Sequence, residues 1–318
     1  MSRFTPIATI TIDGQSLTAP EAALLRVEVT LGLGPAHDRC VLELHALAPT
    51  VPAAGGTVAV ALGFDDDAQD VFTGTVVTVA RRPTGAVVEC FAPSWQLSRR
   101  RAAQAWVGQG AAQIVNDLLS DAGVTAGTVG PDLDLGIFHA DDRRSRWAHL
   151  LRLARLSGCE VASAADGSLH VRPPASGPAA TTLRRGAELI SWRAAQSEEA
   201  PTAAPVGPAG AGSEAGADHW FLPLASPAGE TPERDAWVPG AIRDRNAARS
   251  VAKAAADAAV RSTVSGDALC WGQAALRPGD LVTLGDLLDG DVDARLLGVT
   301  HVLDASGFAT WLDFEGVA

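Results

Sequence analysis

A chain of 318 residues that is 47% hydrophobic carries enough apolar material for two or three domains, each with its own core. Its 37 Asp and Glu against 25 Lys and Arg give a formal net charge of -12, which argues against a nucleic-acid binder and against docking on anionic membranes. No apolar run reaches the ~20 residues that span a bilayer, and the opening MSRFTPIATITIDG lacks the basic-then-apolar order of a signal peptide.

The first hundred residues read as β. ATITIDG alternates and ends at a turn. RVEVTLGLG sets Val27, Val29 and Leu31 on one face. DRCVLELHAL sets Cys40, Leu42 and Leu44 against Arg39, Val41 and Glu43. TVAVALGF, VFTGTVVTVA and AVVECFAP follow at short intervals between Gly, Pro and Asp turns, a spacing that predicts a barrel or sandwich. The character then changes. GQGAAQIVNDLLSDAGV places Ala111, Ile114, Val115, Leu118 and Leu119 at helical spacing, with Gly123 to end the helix. HADDRRSRWAHLLRLARLSGCEV predicts a second helix over 143–157, capped by Asp141 or Asp142. Its apolar stripe is Trp147, Leu150, Leu151 and Ala154, with Arg144, Arg152 and Arg155 turned away and Gly158 at C′. CEVASAADGSLHVRPP predicts a hairpin turning near Asp166 and Gly167.

Residues 196–218, QSEEAPTAAPVGPAGAGSEAGAD, have little to bury and read as a mobile loop or linker. AIRDRNAARSVAKAAADAAVRSTVSG predicts an Ala-rich helix. ALCWGQAALRPGDLVTLGDL and ARLLGVTHVLDASGFATWLDFEG return to β, with a last hairpin turning at Asp304 to Gly307. The expected fold is mainly β with an α/β insertion: β over 1–100, a mixed α/β part over 101–193, a linker over 194–239, and a helix with a second β unit over 240–318. No short-period repeat is visible, but β units at both ends are compatible with a diverged duplication.

His139, Asp141 and Asp142 are the densest candidate cluster. A metal or catalytic site needs the three to converge, with further ligands from elsewhere. The adjacent acids point apart and no HxxxH or HxH accompanies them, whereas a helix start needs only acids near its positive end. FDDDAQD lacks the glycine and glutamate of a helix–loop–helix calcium loop. GQGAAQIV lacks the third glycine and the Lys-Ser/Thr of a phosphate loop, so Gly108 and Gly110 read as a turn before the helix. There is no GxSxG. His301, mid-strand in VTHVLD, reads as a packing or hydrogen-bonding residue. Cys40, Cys90, Cys159 and Cys270 lie far apart in apolar patterns and read as reduced thiols. Trp95, Trp147, Trp192 and Trp311 are scattered and make no sugar or nucleobase platform. The residues alone imply a structural or binding protein with no catalytic residue, metal or cofactor.

Four stretches in order, VFTGTVVTVA, GQGAAQIVNDLLSDAGV, ADDRRSRWAHLLRLARLSGCEVASAADGSLHVRPP and LRPGDLVTLGDLLDGDVDARLLGVTHVLDASGFATWLDFEG, resemble the late control gene D-type tail hub proteins of contractile phages. The same hub fold forms the N-terminal part of type VI secretion VgrG spikes and occurs in extracellular contractile injection systems. The positions that carry the resemblance are Phe72 and Gly74; Asp142, Trp147, Leu150, Leu153, Ala154 and Gly158; Asp166 and Gly167; Pro278 and Gly279; and His301. All are structural in the family. After LISWR, 189–193, this chain departs from the family's Gly-Trp-Asp-Pro-like segment. The resemblance implies two tube-like β-barrels per chain and a homotrimer that joins a sixfold tail tube to a threefold spike, beside other baseplate proteins. It implies assembly in the cytoplasm into a phage tail or injection particle, with no membrane insertion, no nucleic-acid specificity and the needle on a separate protein. Two other readings stay open. One is a tail-associated hydrolase or metal-dependent enzyme using His139, Asp141 and Asp142. The other is a receptor- or carbohydrate-binding tail module.

Overall fold

Alternating apolar residues, separated by glycine and aspartate turns, build the N-terminal strands in the computed structural model, which describes residues 5–197, 203–206, 234–237, 245–287 and 290–317. These strands are β1 (Pro6–Ile12), β2 (Gln15–Thr18), β3 (Leu24–Gly32), β4 (Arg39–His45), β5 (Thr57–Phe64), the long β6 (Asp67–Arg82) and β7 (Gly85–Phe91). A mixed part follows: α1 (Trp95–Arg99), β8 (Gln104–Gly110), α2 (Ala111–Ala122), β9 (Ala126–Val129), β10 (Asp134–Ala140), α3 (Arg146–Leu156), β11 (Glu160–Ser163) and β12 (Leu169–Arg172). The remaining elements are β13 (Thr181–Arg184), β14 (Leu189–Gln196), β15 (Ala203–Val206), β16 (Arg234–Trp237), α4 (Arg245–Arg261), β17 (Val264–Trp271), β18 (Leu281–Gly285), β19 (Val292–Asp304) and β20 (Gly307–Gly316). Most of the linker expected over 196–218 lies outside the described residues.

The chain is mainly β, and its two ends share one sheet. The strand order is β14-β17-β20-β19-β3-β4-β7-β6-β5-β1-β2, with β18 on β19 and β13 on β18. Every neighbouring pair on this path is antiparallel, and within this sheet only the off-path pair β13–β18 is parallel. The join is β19–β3, where Thr300, His301 and Val302 face Thr30, Val29 and Glu28. One apolar cluster runs through both units, from Ile10, Val29 and Leu62 to Val282, Leu296 and Phe314. β13 and β14, read from sequence with the mixed part, pair with the C-terminal strands instead.

The topology is duplicated. β3, β4, β5, β6 and β7 lie in the spatial order β3-β4-β7-β6, with β5 on β6; β14, β17, β18, β19 and β20 lie in the order β14-β17-β20-β19, with β18 on β19. The β6–β7 and β19–β20 hairpins both close over two loop residues, at Arg82↔Gly85 and Asp304↔Gly307. A bulge interrupts β3–β4 at Leu25 and β14–β17 at Ile190. Glycine is required in β6, because a Cβ on Gly74 would lie 2.5 Å from the Phe72 ring and from the Phe91 carbonyl oxygen.

The mixed part has its own core. α2 buries Ala111, Ile114, Val115, Leu118 and Leu119, and ends at Gly123 with φ 68°. α3 buries Trp147, Leu150, Leu153 and Ala154 against them, while Leu151 is only half-buried. Its cap differs from the expectation. The Ser145 hydroxyl accepts from the Ala148 N–H, and Asp141 lies too early in the chain to do so. Asp141 Oδ1 instead accepts from the Arg143 and Arg144 N–H groups, closing the turn before the helix. At the other end Gly158 (φ 63°) is C′ as expected: its N–H bonds the Arg155 carbonyl, and the Cys159 N–H bonds that of Ala154. Replacing Ser145 by Ala is expected to cost about 1 kcal/mol and Trp147→Ala about 3–5 kcal/mol, with Asp142→Asn close to neutral. Urea unfolding of the three variants checks the order, and a larger loss for Asp142→Asn than for Ser145→Ala would contradict this account of the cap.

Candidate functional site

The sequence cluster does not converge. His139 lies on the exposed side of the two-stranded β8–β10 ribbon, where it faces Ala105. Asp141 is engaged by backbone N–H groups, and Asp142 is exposed. Among the described residues no group of three or more His, Cys, Asp or Glu is arranged to hold a metal ion. Asp65, Asp66 and Asp67 of FDDDAQD form the β5–β6 turn beside a surface cleft also lined by Gly272, Gln273 and Phe308.

The polar side chains that do converge lie where the two β units meet the mixed part. Glu160, at the start of β11, is buried against Arg295 of β19. Arg295 in turn bonds Glu315 of β20 (2.5 Å), and Glu315 also accepts from Arg261 Nε at the end of α4 (3.1 Å). Alternating carboxylates and guanidiniums thus tie the mixed part, the last helix and the second β unit together. Such a chain holds only while complete, since a lone buried charge keeps its desolvation cost without a partner. Gly279 (φ 92°) packs on it: a Cβ there would lie 2.7 Å from Glu160 Oε1, and its N–H donates to the Leu296 carbonyl at 2.7 Å.

Next to this lies a second tie. Arg277, ahead of the buried Pro278, sends its guanidinium across to the first unit, donating to the Val71 carbonyl (2.8 Å) and to that of Asp70. Its own N–H donates to Asp280 Oδ2. Buried Asp38 accepts from the Gly32 N–H at 2.9 Å and lies near Ser163 of the mixed part and Arg277 of the second unit. Burial raises its carboxyl to about 7, against the pull of those partners. One residue earlier, His37 sits 4.5 Å from the Trp147 ring and 5.5 Å from that of Trp95, while Trp147 Nε1 donates to the Pro35 carbonyl at 2.7 Å. Two Trp residues read as scattered therefore meet over one loop. Burial lowers His37 to about 4 and leaves it neutral.

The positions carried by the resemblance are spread over the whole fold. Trp147 is in the Pro35 tie, Pro278 and Gly279 are in the Arg277 loop, and Phe72 and Gly74 lie beside that tie on β6. Leu150, Leu153, Ala154 and Gly158 shape α3, and Asp166 and Gly167 turn the β11–β12 hairpin, with Asp166 Oδ1 accepting from the Ser168 N–H. His301 is buried in the β19–β3 join, its Nδ1 3.0 Å from Thr310 Oγ1; burial depresses it to about 3, so it is neutral. Sequence reading missed Glu160, Arg295, Arg277, Asp38 and also Arg146, which is 2% exposed and bound to Asp121 at 2.7 Å. A charged residue in an apolar run, as in EVAS or ARLL, was the available signal, but its partner is remote in sequence.

Removing one member of the Glu160–Arg295 pair, as in Arg295→Met, is expected to cost about 3–5 kcal/mol. The double variant Arg295→Met/Glu160→Met should recover part of that loss; denaturant melts that show simple additivity would overturn the coupling. Asp38 sets a pH dependence. Its folded pKa of about 7 exceeds the unfolded value of 3.8, so folding takes up a proton. Its contribution is complete below pH ~4 and is lost as pH rises through about 7, at about 1.4 kcal/mol per unit. Asp38→Asn should flatten stability between pH 4 and 7; an unchanged slope in that variant would assign it to other groups.

No protein-family model and no curated protein matches this sequence. Solved structures do. A 43 kDa tail protein of prophage MuSo2 from Shewanella oneidensis aligns over 98% of both chains at 14% identity with a TM-score of 0.70. A tail protein from Neisseria meningitidis covers 98% of this chain and 96% of its own at 13% identity, with a TM-score of 0.73. An Escherichia coli component of the type VI secretion system, described as similar to phage T4 tail proteins gp27 and gp5, aligns over 97% of this chain and 77% of its own at 13% identity, TM-score 0.62. The chain has the fold of these phage tail and secretion-system proteins.

Proposed function

We propose that the chain is the structural hub of a contractile tail or injection system, a homotrimer that joins a sixfold tail tube to a threefold spike. The duplicated topology carries this reading. Each chain holds two β units of the same strand path, side by side in one sheet. Three chains then present six similar units to a sixfold ring, while the mixed part, present once per chain, keeps threefold character on the assembly. The shared fold with tail proteins supports it. The ties from Glu160 through Arg295 and from Arg277 to β6 suit a part that transmits load, because they lock the three regions of the chain into one body. The assembly is obligate, with interfaces above roughly 2,000 Å². The tube, the spike and other baseplate proteins are its partners, and no step of catalysis is assigned to it.

The enzyme reading is less favoured, because His139 and Asp142 are solvent-facing and separate and Asp141 serves the backbone. The tail-binding-module reading has one supporting observation. Trp271 and Trp311, 57% and 50% exposed, lie on one face of neighbouring strands, with Leu269 opposite Trp311 and Trp271 opposite Ala309.

Light scattering of the purified chain, alone and with its spike, is expected to give a trimer, and cryo-EM of the particle should place it between tube and spike. A chain that stays monomeric at high concentration and co-purifies with neither spike nor tube protein would sink the hub reading. Wall hydrolysis abolished by Asp142→Asn would replace it with the enzyme.

A further inference from the structure

Five exposed arginines gather on the mixed part of a chain whose formal net charge is -12. Arg99, Arg100 and Arg101 lead into β8, and Arg143 and Arg144 follow β10. The β8–β10 ribbon brings the two runs together. Its end rung pairs Gln104 with Ala140, so the segment entering β8 lies beside the segment leaving β10. Two bonds hold them there. The Arg146 N–H donates to the Arg100 carbonyl at 2.9 Å, and Arg101 Nη1 donates to the Arg143 carbonyl at 2.9 Å.

Among the described residues none of the five guanidiniums forms an ion pair with a carboxylate. Asp141 lies near Arg144, yet its Oδ1 is taken up by the Arg143 and Arg144 N–H groups. Asp121 is held by buried Arg146. Half-buried Arg152, over the Phe138 ring, adds a further positive charge near Arg144. Like charges crowded on two touching loops repel one another. A helix end accounts for Arg99, in the last turn of α1, but for none of the other four.

Guanidinium forks suit carboxylates and phosphates alike, so the extent of the patch decides between them. A nucleic acid or an anionic membrane continues past five arginines and meets the rest of the surface, which is more acidic than the whole chain. Neither would find an anchor in the patch. None of the exposed large apolar side chains lies in either arginine run, so nothing here inserts between lipids. Trp95, four residues before Arg99, is stacked on Phe91 at 5.1 Å and offers no free face to a base. A short acidic peptide, by contrast, confines its charge to the patch.

We infer that Arg99, Arg100, Arg101, Arg143 and Arg144 form a docking surface for an acidic segment of another protein. Its Asp or Glu carboxylates supply the partners that the five guanidiniums lack within the chain. The mixed part occurs once per chain, so each chain carries one such site. The inference goes beyond the hub reading and does not depend on it.

The test is fluorescence anisotropy of labelled deca-glutamate with the full chain. Binding at ~0.05 M ionic strength should vanish by ~0.5 M, because screening weakens exposed ion pairs. The side chains of Arg99, Arg100 and Arg144 make no hydrogen bond among the described residues. Arg99→Gln/Arg100→Gln/Arg144→Gln should therefore keep the parent's melting curve while weakening binding about tenfold, the loss of three surface ion pairs. Arg82→Gln/Arg184→Gln/Arg185→Gln removes the same charge at other exposed positions and should change the affinity by less than about twofold. Equal weakening by the two triple variants, or no binding at low salt, overturns the inference. So does tighter binding of a DNA oligonucleotide or of phosphatidylserine vesicles through the same arginines. Light scattering covers the remaining occupant: an oligomer lost both in the first triple variant and in Asp65→Asn/Asp66→Asn/Asp67→Asn would make it a second copy, and the inference would fall.

Discussion

The ladder between β3 and β19 is the contact on which the rest of the structure depends. It joins the two ends of the chain in one sheet, burying Val27, Val29 and His301 and pairing Thr30 with Thr300. Its partners are separated by most of the sequence, so its closure carries a large entropy of ordering that local strand propensity cannot offset alone. The apolar cluster shared by both units supplies the compensating burial. Neutral His301 fits there because a charged imidazole would meet the full desolvation cost, and its Nδ1 has Thr310 as partner.

Once the units are joined, the mixed part has one position. Trp147 reaches the Pro35 carbonyl in the loop between β3 and β4, Glu160 reaches Arg295 on β19, and Arg277 closes back on β6. Each tie crosses between regions, and each is polar yet largely enclosed. Apolar packing alone would let these regions slide; directional bonds with costly unpaired states fix their angle. For the hub proposed above, a fixed angle between these regions is the property that matters.

The duplication was open as a possibility in the sequence but not visible in it. Strand order and hairpin closure match between the units, whereas the side chains at matched positions differ: Val79 corresponds to His301, and Glu28 to Arg193. Sheet topology depends on alternation and turn placement, which many sequences satisfy, so the path can persist after the residues have diverged.

Local patterns in the sequence determined the elements themselves. The alternation of RVEVTLGLG and DRCVLELHAL set β3 and β4, the spacing from Ala111 to Leu119 set α2, and Gly158 and Gly167 set a helix end and a turn because those backbone angles favour glycine. The cap of α3 was misread because aspartate and serine compete on equal terms at a helix start, and only the backbone path showed that Ser145 occupies the position. The tertiary structure alone decided that the two β ends form one sheet, that β14 belongs to the second unit, and that Glu160, Arg295, Arg277 and Asp38 gather at one junction. Periodicity reports which way a side chain points within its own element, whereas these contacts depend on which elements become neighbours, and that is settled by burial summed over the whole chain.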